Sequence, residues 1–261
     1  AVSGCGKSRA LSERLGIARC FGHRFSRRSG ETSRGEPTPM ITAAALLLPF
    51  ALMQASVAPA DDRYAQCLAL IDSDAERAYE EGMAWAAEGN ALNAYRCAAL
   101  ALIAQNRADE GARRLESLAT ASNPADTAVR AELFSQAGNA WLLAEEPSRA
   151  RSAFSRAIAT MAPAAQEMPD LLIDRARAYG MEQDYRHAEE DLSAALDRRP
   201  NDALALRLRA SARMHQSSFQ LAEADALAAL QQATTEQDRV DAALVLGHVR
   251  ESARTGAPVS E

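Results

Sequence analysis

From Tyr64 onward, apolar and small residues return at helical spacing in blocks of about 12–16 residues separated by short breaks, and successive blocks resemble one another. A chain that repeats itself in this way must be read as an array before it is read as a fold. In Pro169–Asp202, Leu172, Ala176 and Tyr179 lie on one predicted helix, Ala188, Leu192 and Ala195 on the next, and Pro200 closes the unit. The same frame placed 38 residues upstream finds Phe134, Gly138, Trp141, Ala150, Phe154 and Ala157, with the extra residues in a loop around Met161–Met168. Placed 34 residues downstream it finds Ala210, Ala222 and Ala229, with Phe219 in the place of Tyr185. A looser copy holds Leu92, Tyr95, Ala99, Leu102, Gly111, Leu115 and Leu118, followed by Asn123-Pro124. Small residues at Gly138/Ala150 and Ala176/Ala188 let two antiparallel helices approach, and the bulk of Trp141/Phe154 and Tyr179/Leu192 fills the space beside them. One such pair cannot bury its apolar face alone, so several must stack.

This large–small–aromatic, small–large–small order with a closing proline resembles the 34-residue tetratricopeptide repeat over roughly residues 92–235. The resemblance implies an all-α fold of antiparallel helix hairpins stacked in a right-handed superhelix, an α-solenoid whose first helices line a concave groove for other proteins or peptides. Three departures stand out: Arg175 and Arg209 where the family prefers Leu, and Arg213 where it has an aromatic. Residues 64–91 make a divergent first pair whose phase stays open, because Tyr79, Gly82 and Trp85 echo a first helix while Ala94, Ala98 and Ala101 compete for the second. Punctuation agrees with the frame. Asp74, Asn106, Glu146-Pro147, Asp184 and Gln216-Ser217-Ser218 fall between helices, and Pro124, Pro163, Pro169 and Pro200 fall at boundaries. Gln237–Ser252 reads as a polar closing helix; the repeat domain is expected over 61–252 and a flexible tail over 253–261.

Aromatic residues make up 5% of the chain and alanine is abundant, which favours helices in close contact over a β-rich fold. Residues 1–60 hold eight Lys+Arg and three Asp+Glu, leaving 21 and 32 for residues 61–261, so an N-terminal part of about +5 precedes a body of −11. An acidic body argues against nucleic acid and anionic membrane as partners. Residues 1–39, rich in Ser, Arg and Gly, are expected to be a disordered or over-extended leader. Residues 40–60 carry an apolar run, Ala43–Met53, broken only by Pro49, then Ala58-Pro59-Ala60 before Asp61-Asp62-Arg63. That reads as a signal peptide cleaved after Ala60, too short for a comfortable membrane span. The expected product is periplasmic, soluble and without a lipid anchor, because Arg63-Tyr64-Ala65-Gln66 before Cys67 is no lipobox; it would have no stable membrane span and would belong to an envelope complex, with a cytoplasmic chain as the alternative.

Few residues in the body offer chemistry. Cys67 and Cys97 are its only cysteines, and in an oxidising compartment they can form a disulfide that ties the first helix to the second helical pair. His187, His215 and His248 are far apart, and no spacing suits a metal, so neither a metal nor a cofactor is expected. No nucleophile motif appears in the body, so no catalytic residue is nominated and the chain is expected not to be an enzyme. The alternative is a nucleotide-dependent kinase. Ala1-Val2-Ser3-Gly4-Cys5-Gly6-Lys7-Ser8 fits a relaxed Walker A pattern and resembles the phosphate loop of small sugar kinases, but that loop needs a buried strand beside it and no strand pattern follows. The tetratricopeptide resemblance, carried over position by position, implies that Ser135, Asn139 and Leu142, then Ile173, Arg177 and Met181, then Arg207, Ser211 and His215 line the groove. Arg177 and Arg207 could fork onto a peptide carboxylate. The lysine-rich clamp of family members that hold acidic C-termini has no counterpart, since the only lysine is Lys7.

Overall fold

In a computed structural model, which describes residues 60–89 and 91–259, the repeat resolves into eleven helices and no strand among the described residues. They are α1 (Ala60–Ser73), α2 (Ala75–Ala87), α3 (Ala91–Ala104), α4 (Ala108–Ala121), α5 (Thr127–Leu143), α6 (Pro147–Thr160), α7 (Met168–Met181), α8 (Tyr185–Arg198), α9 (Ala203–His215), α10 (Phe219–Gln232) and α11 (Glu236–Thr255). Each helix packs on its predecessor as an antiparallel partner. Alternate helices also touch, α1 with α3, α5 with α7, α7 with α9 and α9 with α11, so the chain is a stack of hairpins. The expected leader and signal segment lie outside the described residues apart from Ala60, which opens α1.

The small residues do the work the frame assigns to them. A Cβ added at Gly138 would lie 2.6 Å from the Phe154 ring, so α5 and α6 meet at a distance only glycine permits. Gly82 of α2 likewise faces Cys97, Ala94 and Ala98 of α3, and Gly111 of α4 faces Ile103 and the Ala99 carbonyl of α3. Those contacts resolve the open phase of the first pair: α3 takes the second-helix role against α2 and the first-helix role against α4. Its apolar residues run all the way round, and Cys97–Ile103 is buried without interruption.

Four turns within hairpins share one geometry. Asn106, Glu145, Gln183 and Ser217 each adopt positive φ, between 58° and 63°. In each, the following N–H (of Arg107, Glu146, Asp184 or Ser218) donates to the carbonyl five residues back, at 2.9–3.0 Å. Asp74, Asp184 and Asp202 cap α2, α8 and α9 by accepting from the backbone N–H three residues on. Pro147 and Pro169 sit in first turns, where the missing N–H costs nothing. The closing helix is longer than expected. Thr235 and Asp238 form a capping box, and α11 runs to Thr255 before Gly256 ends it in the left-handed region. The tail then folds back, with the Val259 N–H donating to Ser252 Oγ at 2.9 Å.

The core divides along the array. One cluster runs from Cys67 to Ala178 and holds Phe134, Trp141 and Phe154. A second, from Met168 to Ala242, and a third, from Ala210 to Val249, are built from Ala, Leu, Ile, Val and Met. Cys67 and Cys97 are joined by a disulfide with Cα atoms 6.2 Å apart, which fastens α1 to α3 across 30 residues of sequence. In the chain-entropy description such a closure stabilises by about 3–4 kcal/mol.

Candidate functional site

The first helices of successive hairpins, α3, α5, α7 and α9, with α11 after them, lie edge to edge, and polar side chains bridge them. Arg96 of α3 donates to Gln136 at 2.9 Å and pairs with Glu132, both on α5. Asn139 of α5 donates to Asp174 of α7 at 3.2 Å, and Arg177 holds the same carboxylate at 3.0 Å. Arg207 of α9 lies 3.4 Å from Asp241 of α11. Burial lifts the Asp174 carboxyl above the usual carboxylate range, against the opposing pull of the Arg177 guanidinium and the Asn139 amide.

The nine residues expected to line a groove all fall on this series of helices, but they do not share one role. Leu142 and Ile173 are buried members of the core clusters, and Asn139 is buried while holding Asp174. The close packing of neighbouring first helices takes these three away from solvent. Ser135, Arg177, Arg207, Ser211 and His215 are half-buried, and Met181 is 47% exposed. Arg177 and Arg207 are each engaged by a carboxylate of their own chain, so a ligand carboxylate would have to share or displace Asp174 or Asp241. His215 stacks on Tyr185, with ring centroids 4.2 Å apart and planes 7° from parallel.

The arginines that break the family pattern have structural partners. Arg175 makes a two-pronged pair with Asp191 (2.7 Å on both prongs) and donates to Ser155 Oγ at 3.2 Å. One repeat on, Arg209 does the same to Asp225 (2.8 Å on both prongs) and to Ser193 Oγ at 3.2 Å. Each clamp joins the two helices of its hairpin and reaches back to the preceding one. Arg213, in the aromatic slot, takes Glu189 and Asp225 at 2.7 Å each, where Tyr179 in the same slot receives the Arg151 guanidinium over its ring at 5.6 Å. The recurrence of Arg and Asp 16 residues apart in consecutive repeats was the one sequence signal for these clamps.

Of the other candidates, His187 bonds to the capping Asp184 through Nδ1 at 2.6 Å and stacks on Tyr179. That contact holds the Asp184 carboxyl below its ordinary range. Among the described residues no three His, Cys, Asp or Glu side chains gather as metal ligands would, and no helix is long and apolar enough to cross a membrane. Lys7 and its loop lie outside the described residues, which contain no strand for such a loop to follow.

No protein-family model matches this chain, and no curated protein matches it. Among solved structures it is similar to a chain in the crystal structure of the APC/C hetero-tetramer Cut9–Hcn1, at 13% identity with a TM-score of 0.42, over 71% of this chain and 42% of that one. It is also similar to the TPR2AB domain of yeast Sti1 in its complex with pHSP90, at 15% identity with a TM-score of 0.36, over 75% of this chain and 84% of that one. This chain thus spans less than half the length of the Cut9–Hcn1 chain it matches.

Proposed function

We propose that this chain is a non-enzymatic scaffold of the cell envelope, exported to the periplasm, which holds a peptide or the surface of a partner protein along its first-helix face. The observation that supports this reading is a mixed strip on adjoining helices. Met181 is exposed one turn from the half-buried Arg177, and one repeat on lie Arg207, Ser211 and the His215 ring stacked on Tyr185. Such a strip suits an extended segment with an apolar anchor beside a carboxylate, gripped by arginine forks.

Crosslinking and pull-down from the envelope fraction tests it directly. The double variant Arg177→Glu, Arg207→Glu should lose most of the captured partner while keeping its helical circular dichroism; undiminished capture would rule out the groove. The mass of the mature N-terminus reads export separately, with Asp61 the expected first residue. ATP binding that disappears on Lys7→Ala would restore the kinase alternative.

A further inference from the structure

The disulfide joins two helices that the rest of the chain holds very unequally. α3 buries every residue from Cys97 to Ile103. α1, which packs on α2 and α3, buries two side chains, Cys67 itself and Ile71, and leaves Arg63, Tyr64, Leu68 and Leu70 half-buried. Among the described residues its side-chain polar ties to its neighbours are few. Arg63 pairs with the exposed Glu88 at 2.6 Å and lies over the Trp85 ring, and the Arg96 guanidinium lies over the Tyr64 ring. An exposed ion pair contributes little, and the Tyr64 hydroxyl is buried with no hydrogen-bond partner, which works against keeping α1 in place. A 14-residue helix is marginal by itself, so the covalent bond to α3 is its principal anchor.

The bond is also within reach. A cleft of about 70 Å³ opens between α1 and α2, lined by both cysteines together with Arg63, Glu81, Gly82 and Trp85. Cys67 is the less buried cysteine, at 8% exposed against 1% for Cys97. Arg63 stands one turn before it on α1 and brings positive charge into the cleft, where Glu81 is held by Arg77 at 2.8 Å. A guanidinium in that place favours an incoming thiolate. Cys97, by contrast, is wedged against α2: a Cβ added at Gly82 would lie 3.0 Å from its Sγ, and the Ala78 carbonyl oxygen is 3.6 Å away, placed to accept from a free thiol.

We infer that Cys67–Cys97 is a redox latch, closed by oxidation and opened by a dithiol reductant that enters this cleft and releases α1 from α3. One thiolate of the reductant attacks Cys67 Sγ; the S–S bond breaks, and its electron pair leaves on Cys97 Sγ, which takes a proton from solvent. The second thiolate of the reductant then attacks the first reductant sulfur and frees the Cys67 thiolate, so the dithiol ends oxidised and the chain ends with two thiols. Released α1 uncovers the side of α3 that carries Cys97 and Arg96. Arg96 also binds Glu132 and Gln136 of α5, so the change reaches the first-helix face: α1 covers Arg96 in the oxidised chain and leaves it open in the reduced one. The latch operates whether or not a partner occupies that face, and its test needs none.

Hydrogen exchange followed by mass spectrometry on the full chain, oxidised and then treated with dithiothreitol without denaturant, reads the latch. Reduction should speed exchange of the α1 amides by about a hundredfold or more and redden the emission of Trp85, with α5 and α6 unchanged. Cys67→Ser should exchange fast in α1 with or without dithiothreitol, while its α5 and α6 amides match the parent. A bond that dithiothreitol reaches only in denaturant overturns the proposal, as do α1 amides equally slow before and after reduction. Protection lost from α5 and α6 together with α1 overturns it too, because the bond would then staple the whole array. So does a chain whose two thiols stay free under a disulfide oxidant.

Discussion

Gly138 and Asp174 show how much of this array rests on single atoms. A methyl group at Gly138 would lie within 2.6–2.8 Å of three carbons of the Phe154 ring, which is fully buried and has nowhere to go. Gly138→Ala should therefore destabilise the protein by about 1–3 kcal/mol through overpacking. At Gly180, where nothing lies within 4 Å of an added Cβ, the same change should stabilise by up to about 1 kcal/mol. Denaturant titrations of the two variants check the opposite signs. Asp174 is a cost of another kind. Its carboxyl is raised in the folded state, chiefly by burial, so the favourable contribution of its protonated form is complete below the unfolded range, roughly pH 4, and is lost as pH rises through the raised folded value. Asp174→Asn, which keeps an acceptor for Asn139, should be more stable than the parent at neutral pH. That margin should shrink to nothing in acid, and a margin that grows on acidification would show that Arg177 outweighs burial.

At the scale of helices, the small–large alternation that sets hairpin distance is local and therefore readable: Gly138 with Phe154 and Ala176 with Ala188 announce themselves by spacing alone. The arginine clamps do not. Arg175 and Arg209 stand out in the sequence as misfits at a leucine position, and only the folded hairpin brings Asp191 and Asp225, 16 residues on, against them. The two-sided burial of α3 was equally hidden, because an all-round apolar helix fits either phase. The four left-handed turns carried no glycine to advertise them. Among the residues expected to line a groove, position within the repeat placed each on a first helix but could not tell Ile173, sealed by its neighbours, from the exposed Met181. The upstream repeat supplies a control for the clamps, since it has buried Ala137 and Ala153 where the next has Arg175 and Asp191. Asp191→Ala alone leaves a largely buried guanidinium without its counter-charge and should cost about 3 kcal/mol. The double variant Arg175→Ala, Asp191→Ala, which copies the upstream solution, should cost less than the sum of the two single changes. A double-mutant cycle by urea denaturation checks this, and simple additivity would mean the pair is not a unit.

Over the whole molecule, stability in a stack is close to a sum of hairpin terms and neighbour interfaces, so it varies along the chain. The terms here are lopsided. The three largest fully buried side chains, Trp141, Phe134 and Phe154, all lie on α5 and α6, and the disulfide fastens α1 to α3 within the same core cluster. Beyond α7 the largest fully buried side chains are Leu192, Met214 and Val249, and the attraction in the clamps there is partly offset by desolvation of the arginines they hold. The C-terminal hairpin and α11 should therefore open without the rest. Native-state hydrogen exchange should find opening free energies for the α9–α11 amides below those of α5 and α6 by about 2 kcal/mol or more at low protein concentration. Equal protection of α5 and α10 would show instead that interfaces dominate hairpins and that the array melts as one body.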